Sequence, residues 1–294
     1  MDISYELYKV FYYVAATLSF SEASKRLYIS QSAVSQSIKT LEKKLGQPLF
    51  IRSTKKVLLT PEGEVLFRHI EPAVNLIHKG EEQLMDPNQL GGQLRIGASD
   101  TICRYFLVPY LSRFHKEYPE IHIKVMNQTS IGCADLLESG QVDIIVSNFP
   151  NVRLKGYGTL RMIKEFQDVF VANETYFNFR GESLSFSQLQ RLPLLMLDRK
   201  STTSEFLHNL FSRHNLNLVP EVELSSNDLL IDLARIGLGI AFVPDYALDS
   251  YDNLYRLKLE ETLPRRFLAL ASNEQIPPSA AVQKFIQYFV PEES

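Results

Sequence analysis

The chain has 294 residues, enough for two or three domains that each bury a core. It opens MDISYEL without a basic or apolar leader, and no apolar run approaches the roughly 18–20 residues of a membrane span. These features predict a cytoplasmic protein with no membrane partner. Cys103 and Cys133 are too few for a disulfide framework and lack metal-ligand spacing, so buried thiols are favoured over a redox switch.

Charge is unevenly distributed. Residues 1–60 hold nine basic and four acidic side chains, an excess of +5, which leaves −8 for the remainder because the net charge is −3. A basic head on an acidic body is typical of a protein that binds nucleic acid through one end. We expect such binding to weaken as salt rises, through counterion release.

Three helices are predicted first. An apolar stripe from Leu7 to Leu18 predicts the first, and Ser21 with Glu22 gives the start signal of a short second. Ser30 is placed to cap a third, whose apolar side can pack inward through Val34, Ile38, Leu41 and Leu45. Its outer face carries only hydrogen-bonding and basic side chains, including Gln31, Ser32, Ser35, Gln36 and Lys39. This face suits an anionic groove, although a solvated face of an ordinary bundle fits this helix alone equally well.

Two short β-prone runs follow, residues 48–52 and 57–60, around a polar turn. They predict a hairpin that offers Arg52, Lys55 and Lys56 to phosphate. Three helices and a hairpin together predict a winged helix-turn-helix domain over residues 1–60.

The segments FSEASKRLYISQSAVSQSIKTLEKKLG, PLFIR and LTPEG resemble the LysR-type transcriptional regulators. The resemblance implies a sequence-specific regulator whose partner is double-stranded operator DNA. Because the early turns of the second helix of such a motif enter the major groove, Gln36 and Lys39 are the best candidates for base-edge contacts.

A long helix is predicted from Thr60, as N-cap, and Pro61 at the first helical position. Pro72 is a potential bend. An apolar seam follows the helix, and the resemblance implies that it joins two or four copies of the chain; the alternative is packing on the chain's own body. The predicted dimerisation residues are Leu66, Ile70, Ile77 and Leu84. Residues 61–91 then form a linker helix and a hinge.

From Gln93 the pattern becomes α/β, with predicted strands and helices in alternation, which implies a parallel sheet. The stretches RFHKEYPEIHIKV, SGQVDIIVS and ARIGLGIAFVPDYAL resemble the effector-binding domain of the same regulators. The resemblance implies two lobes and a cleft, as in periplasmic binding proteins: residues 92–162 with 266–294 form lobe one and residues 163–265 form lobe two.

Polar residues follow several predicted strands and open helices, where α/β sheets bind ligands and helix N-termini favour anions. Taken singly, each is better explained as a simple N-cap. Together they predict a small anionic or zwitterionic effector in the cleft, with Asp100 as an alternative selector of an amine. The predicted effector-binding residues are Ser99, Asp100, Thr101, Thr129, Ser130, Phe149, Lys200, Ser201, Thr202 and Val243.

Other classes of protein fit less well. An enzyme is disfavoured because GxSxG, GxxxxGK and HExxH motifs are absent, and the six histidines show no metal-ligand pattern; we expect no cofactor and no metal. A solute-binding protein for a transporter conflicts with the DNA-binding head. A ligand-independent architectural protein is the remaining alternative, but the expected cleft favours a regulator.

Overall fold

The computed structural model describes residues 3–52, 56–85, 92–155, 159–248, 253–273 and 278–290, without the side chains of residues 52 and 82–85. The chain divides into two compact units: residues 1–87 with 139–141, and the remainder. No helix in these described ranges is long and apolar enough to cross a membrane.

The first unit consists of three helices, a hairpin and a long helix. Its elements are α1 (Tyr5–Thr17), α2 (Phe20–Leu27), α3 (Gln31–Leu45), β1 (Phe50–Arg52), β2 (Val57–Leu59) and α4 (Pro61–Met85). Ser30 caps α3 as predicted, accepting from Ala33 N at 3.1 Å. The start of α2 differs: Ser19, in the extended conformation that an N-cap requires, accepts from Glu22 N at 3.2 Å. Ser21 therefore lies inside the helix.

Hydrogen bonds and close packing hold the hairpin against α3 and α4. The Glu42 carboxylate on α3 accepts from Leu49 N at 2.9 Å and Phe50 N at 3.3 Å, just where β1 begins. A Cβ at Gly63 would lie 2.2 Å from Leu49 O, so the close approach of α4 to this strand requires glycine.

The long helix α4 begins as predicted, with Thr60 Oγ1 accepting from Gly63 N at 2.9 Å. Its apolar seam is only partly available for a partner. Leu66 and Ile70, predicted to face a second copy, pack with Phe67 against the core of the first unit. Among the large apolar side chains of α4 that the structure describes, the exposed ones are Val65, Leu76 and Ile77, of which Ile77 belongs to the predicted set. The chain's own core thus covers Leu66 and Ile70 in part, which a single-helix pattern does not show, and their role in dimerisation stays a prediction.

The second unit contains two five-stranded sheets. The first has the order β4-β3-β5-β14-β6, with β3 (Gln93–Ala98), β4 (His122–Asn127), β5 (Ile144–Phe149), β6 (Arg161–Phe166) and β14 (Arg266–Ser272). The second has the order β10-β9-β11-β7-β12, with β7 (Asp168–Asn173), β9 (Leu194–Leu197), β10 (Val222–Leu224), β11 (Ile240–Pro244) and β12 (Leu254–Arg256). A small parallel pair joins β8 (Ser183–Leu184) and β13 (Lys258–Leu259).

Both large sheets are mixed rather than parallel as predicted. In the first, β3 is parallel to β4 and β5, whereas β14 is antiparallel to both of its neighbours. In the second, β7 is antiparallel to β11 and β12. The antiparallel strands are those next to the two chain crossings, where the strand enters a sheet from the other lobe and not from a crossover helix.

Helices cover these sheets: α5 (Asp100–Ile102), continued by a π-helical stretch Cys103–Leu107 and α6 (Val108–Glu117), then α7 (Ser130–Glu138), α8 (Phe186–Leu189), α9 (Thr202–Arg213), α10 (Asn227–Arg235) and α11 (Ala280–Gln287). The chain leaves the first sheet after Phe166 and returns at Arg266. The first crossing thus lies four residues beyond the predicted lobe boundary at 162, because β6 pairs with β14 along the edge of the first sheet.

Candidate functional site

The outer face of α3 is polar and accessible. Gln31, Ser32, Gln36 and Lys39 are exposed, and Ser35 is half-buried, while Val34, Ile38 and Leu41 are buried on the other side. The Ser30 and Ser32 hydroxyls are 2.9 Å apart at the N-terminus of the helix. The five predicted DNA-binding residues of this helix therefore share one surface, which the helix N-terminus makes favourable for phosphate.

The predicted phosphate-binding residues of the hairpin are only partly visible. Lys56 is exposed immediately before β2, whereas Lys55 and the side chain of Arg52 lie outside the described residues. The side chain of Leu84, predicted for dimerisation, lies outside them as well.

Tyr28 is a residue that sequence reasoning missed. Its side chain is 95% exposed and it occupies the left-handed conformation (φ 55°) at the turn between α2 and α3. A fully exposed tyrosine beside the N-terminus of α3 offers an aromatic face and a hydroxyl to the same surface. The sequence gives at best a weak signal for this exposed turn residue, because tyrosine rarely adopts a positive φ.

A cavity of about 240 Å³ lies in the second unit, between the two sheets. Its lining comes from the ends of β4, β5, β9 and β11 and from the segments that follow β3, β4, β9, β10 and β11. Seven of the ten predicted effector-binding residues line it: Ser99, Asp100, Thr101, Thr129, Ser130, Ser201 and Thr202.

Four helices begin at this cavity, each with a capping hydroxyl. Ser99, Thr129, Ser201 and Ser226 accept from the backbone N–H groups of Ile102, Gly132, Ser204 and Leu229 at 3.4, 3.1, 3.0 and 3.4 Å. A cap satisfies one N–H of the first turn and leaves others without an intrahelical acceptor, so four partial positive charges converge here. The sequence analysis did not include the fourth helix start, Ser225-Ser226-Asn227, among the effector-binding residues, although a serine pair before a helical pattern was a readable signal.

Three predicted residues do not line the cavity. Val243 is fully buried in the apolar cluster of lobe two, because its side chain lies on the face of β11 that packs against α10. Lys200 is exposed in the turn before α9, where its backbone N–H bonds to Asp198 Oδ1 at 2.9 Å. Phe149 is half-buried at the end of β5 and outside the lining. The predicted positive charge and apolar wall are thus not supplied by these side chains.

The lining also contains buried amides that lack a full set of partners. Asn227 Nδ2 donates to Thr101 Oγ1 across the two lobes at 2.9 Å, but Asn227 Oδ1 has no partner among the described residues. Asn148 Oδ1 is likewise buried and unpaired there. Unsatisfied buried acceptors are costly, so these atoms favour a ligand that carries hydrogen-bond donors.

A buried ion pair lies beside the cavity at the chain crossings. Arg266, the first residue of β14, donates to Asp168 Oδ2, from the first residue of β7, at 2.6 Å, and both side chains are inaccessible to solvent. Burial raises the pKa of Asp168, because loss of hydration penalises the carboxylate more than Arg266 compensates. The guanidinium also donates to Thr203 Oγ1 at 3.0 Å and to Thr202 Oγ1 at 3.4 Å.

Among the described residues, no group of three or more His, Cys, Asp or Glu side chains is arranged to hold a metal ion. Cys103 and Cys133 are free thiols, and burial raises the pKa of Cys103 to about 11.

Comparison with protein families identifies both units. The LysR substrate binding domain matches residues 87–293, and the bacterial regulatory helix-turn-helix protein, lysR family, matches residues 5–64. The chain therefore belongs to the LysR family: it is a DNA-binding transcriptional regulator with an effector-binding domain, and not an enzyme.

Individual relatives agree with this assignment. A probable RuBisCO transcriptional regulator from Gracilaria tenuistipitata var. liui is 29% identical over 276 residues, which are 91% of this chain and 89% of the relative. A full-length variant of OxyR from Pseudomonas aeruginosa has the same fold, with a TM-score of 0.71 at 20% identity over 98% of this chain and 95% of that one. The regulatory domain of Synechocystis PCC6803 CcmR, solved in complex with 2-PG, has a TM-score of 0.61 at 22% identity over 67% of this chain and 95% of that one.

Proposed function

We propose that this cytoplasmic regulator binds operator DNA through α3 and the β1–β2 hairpin and responds to a small zwitterionic or hydroxylated acid in the cavity of its second unit. The observation that carries the proposal is the convergence of four helix N-termini on one cavity lined from both sheets. Helix N-termini favour an anionic group.

The cavity also contains acceptor groups that favour a ligand with hydrogen-bond donors. Asp100 and Asp198 line it, and no lysine or arginine does so among the described residues. Together with the unpaired Asn148 and Asn227 oxygens, these carboxylates complement an ammonium or hydroxyl group. A small molecule with an acid at one end and such a donor elsewhere satisfies both sets. The similarity to CcmR, whose regulatory domain was solved in complex with 2-PG, supports a small-molecule ligand for this unit.

On the DNA side, Gln36 and Lys39 are the proposed base-reading residues, with Gln31, Ser32 and Ser35 beside them. Lys56, Lys55 and Arg52 are proposed to contact phosphate, and Tyr28 extends the contact surface at the N-terminus of α3. Two such heads in a homo-oligomer would read half-sites related by two-fold symmetry.

The test is a thermal-shift screen of the full chain against small carboxylic, amino and phosphorylated acids, followed by calorimetry on each hit. A ligand that binds the native state raises the midpoint by mass action. Thr129→Val, which removes a hydroxyl from the cavity, should lower the affinity for the ligand found in the screen. Thr175→Val, on the exposed surface of lobe two, serves as the matched control. A hit whose affinity is equal in wild type and Thr129→Val would place the effector elsewhere.

A further inference from the structure

The cavity carries two carboxylates but no basic side chain among its described lining residues, and yet a guanidinium lies directly behind one wall. Arg266 is fully buried between the aromatic rings of Phe166 and Phe206, 5.4 and 4.9 Å from their centroids. Among the described residues, the guanidinium donates hydrogen bonds to two that line the cavity, Thr202 and Thr203, both in the first turn of α9.

These two hydrogen bonds determine what the threonines can do. A hydroxyl has one proton to donate, and its oxygen can accept. Because Arg266 has no acceptor atom, each threonine oxygen must accept from it, and the hydroxyl proton is directed away from the guanidinium. Neither hydroxyl has an acceptor among the described residues, and the cavity is the side from which an acceptor can approach.

Thr101 is constrained in the same way from the opposite lobe. Its oxygen accepts from Asn227 Nδ2 at 2.9 Å, so its proton is also available for donation. Asn227 is 7% exposed and keeps an unpaired oxygen, which indicates that the cavity wall is incomplete without a ligand.

We propose that Arg266 is a positioning residue for effector selectivity: it makes Thr202 and Thr203 obligatory donors, so that this end of the cavity binds a carboxylate or phosphate more tightly than a neutral hydroxyl group. This proposal rests on the effector role of the cavity and specifies how its acid is recognised. Asp168 completes the arrangement, because it holds Arg266 in place and compensates its charge without itself being among the lining residues.

The experiment uses three small probes of similar size with the full chain: glycerate, glycerol 3-phosphate and glycerol. Calorimetry on the wild type should give binding of at least one acid, with glycerol at least about tenfold weaker, since hydrogen bonds to a charged group are stronger than those to a neutral one. The two acids distinguish a carboxylate from a phosphate site.

The variants Thr202→Val and Thr203→Val keep the side-chain shape and remove one donor each. We expect each to lower the affinity for the acid by about tenfold. The variants Thr202→Ser and Thr203→Ser keep the hydroxyl and should bind the acid with wild-type affinity. Because removing Arg266 alone would leave Asp168 buried and unpaired, the double variant Arg266→Met with Asp168→Leu replaces the pair by apolar groups. It should lower the preference for acid over glycerol towards unity.

Two results would overturn the proposal: acid affinity unchanged in both valine variants, or glycerol bound as tightly as the acids by the wild type. Absence of binding of every probe would overturn it as well. If Thr129→Val lowers the affinity for the acid while both valine variants on α9 leave that affinity unchanged, the cavity would remain the proposed effector site. Only the proposed role of Arg266 would then be contradicted. If the double variant does not fold, the valine and serine pairs decide the outcome.

Discussion

At the residue scale, Gln36 offers the clearest test of base reading. Its side chain is exposed on the polar face of α3, and its backbone carbonyl is engaged by Thr40 Oγ1 at 2.8 Å within the helix. Gln36→Ala should therefore preserve the helix and reduce discrimination between operator and competitor DNA by about 1–3 kcal/mol. Gel-shift titration with competitor DNA measures the change, and Gln47→Ala, exposed beyond the end of α3, is the control. Unchanged discrimination in Gln36→Ala would remove this residue from the reading face.

Cys103 provides a second prediction at this scale. Burial raises the pKa of its thiol to about 11, with a smaller contribution from the Asp100 carboxylate, and the Sγ atom lies 3.4 Å from Asn127 Oδ1. At about pH 7 the thiolate is thus scarce, and alkylation of the native protein by iodoacetamide should be much slower than that of the denatured chain and rise up to about pH 11. Rapid native labelling at neutral pH would instead support a redox-sensitive thiol.

At the element scale, the hairpin and α3 should differ in how they contribute to binding. Lys56→Gln removes a charge beside β2, and a phosphate contact carries no sequence information. We expect weaker binding to all DNA sequences alike and a salt slope reduced by about one unit. Fluorescence anisotropy across a salt series measures both quantities. A loss confined to the operator sequence would assign Lys56 to base reading.

The helix α4 gives a prediction about the interface between copies of the chain. Leu76 and Ile77 are 44% and 40% exposed, and Val65 lies about three turns before Leu76 on the same side. If a second copy covers this stripe, Leu76→Asp with Ile77→Asp should place charges in an apolar contact and dissociate the oligomer, with loss of DNA affinity.

Sedimentation measures that change, and Val219→Asp, at a 68% exposed valine of the second unit, is the control. Ile70→Asp should behave differently, because Ile70 packs against the core of the first unit and its substitution should destabilise the fold itself. A dimer that persists in the Leu76 and Ile77 double variant would place the interface on another surface.

At the scale of the whole molecule, any coupling between the effector site and the DNA-binding surface must be reciprocal. If an effector changes operator affinity by some factor, operator DNA must change effector affinity by the same factor. Calorimetry of the screened acid with and without saturating operator should reproduce the ratio obtained from DNA titrations with and without that acid. Equal effector affinity in both states would show that the ligand does not act through DNA binding.

Much of the architecture was readable from local pattern. The helix starts at Ser30, Thr60 and Ser201 follow from capping chemistry, which depends on neighbouring residues alone. Polar residues after successive strands correctly indicated one cavity, because the carboxyl ends of neighbouring parallel strands meet at the same edge.

Tertiary structure decided what distant parts of the chain do together. Arg266 and Asp168 are 98 residues apart, and Asn227 and Thr101 are 126 apart, so no periodicity or motif links them. The helical pattern of α4 did not show that Leu66 and Ile70 pack partly against the core of the first unit. By itself the sequence determined the DNA-binding head, the helix caps and the class of regulator, since these are encoded in short runs of residues. Only the fold decided which hydroxyls face a buried guanidinium and which apolar face remains open, since both depend on how the strands cross and pack.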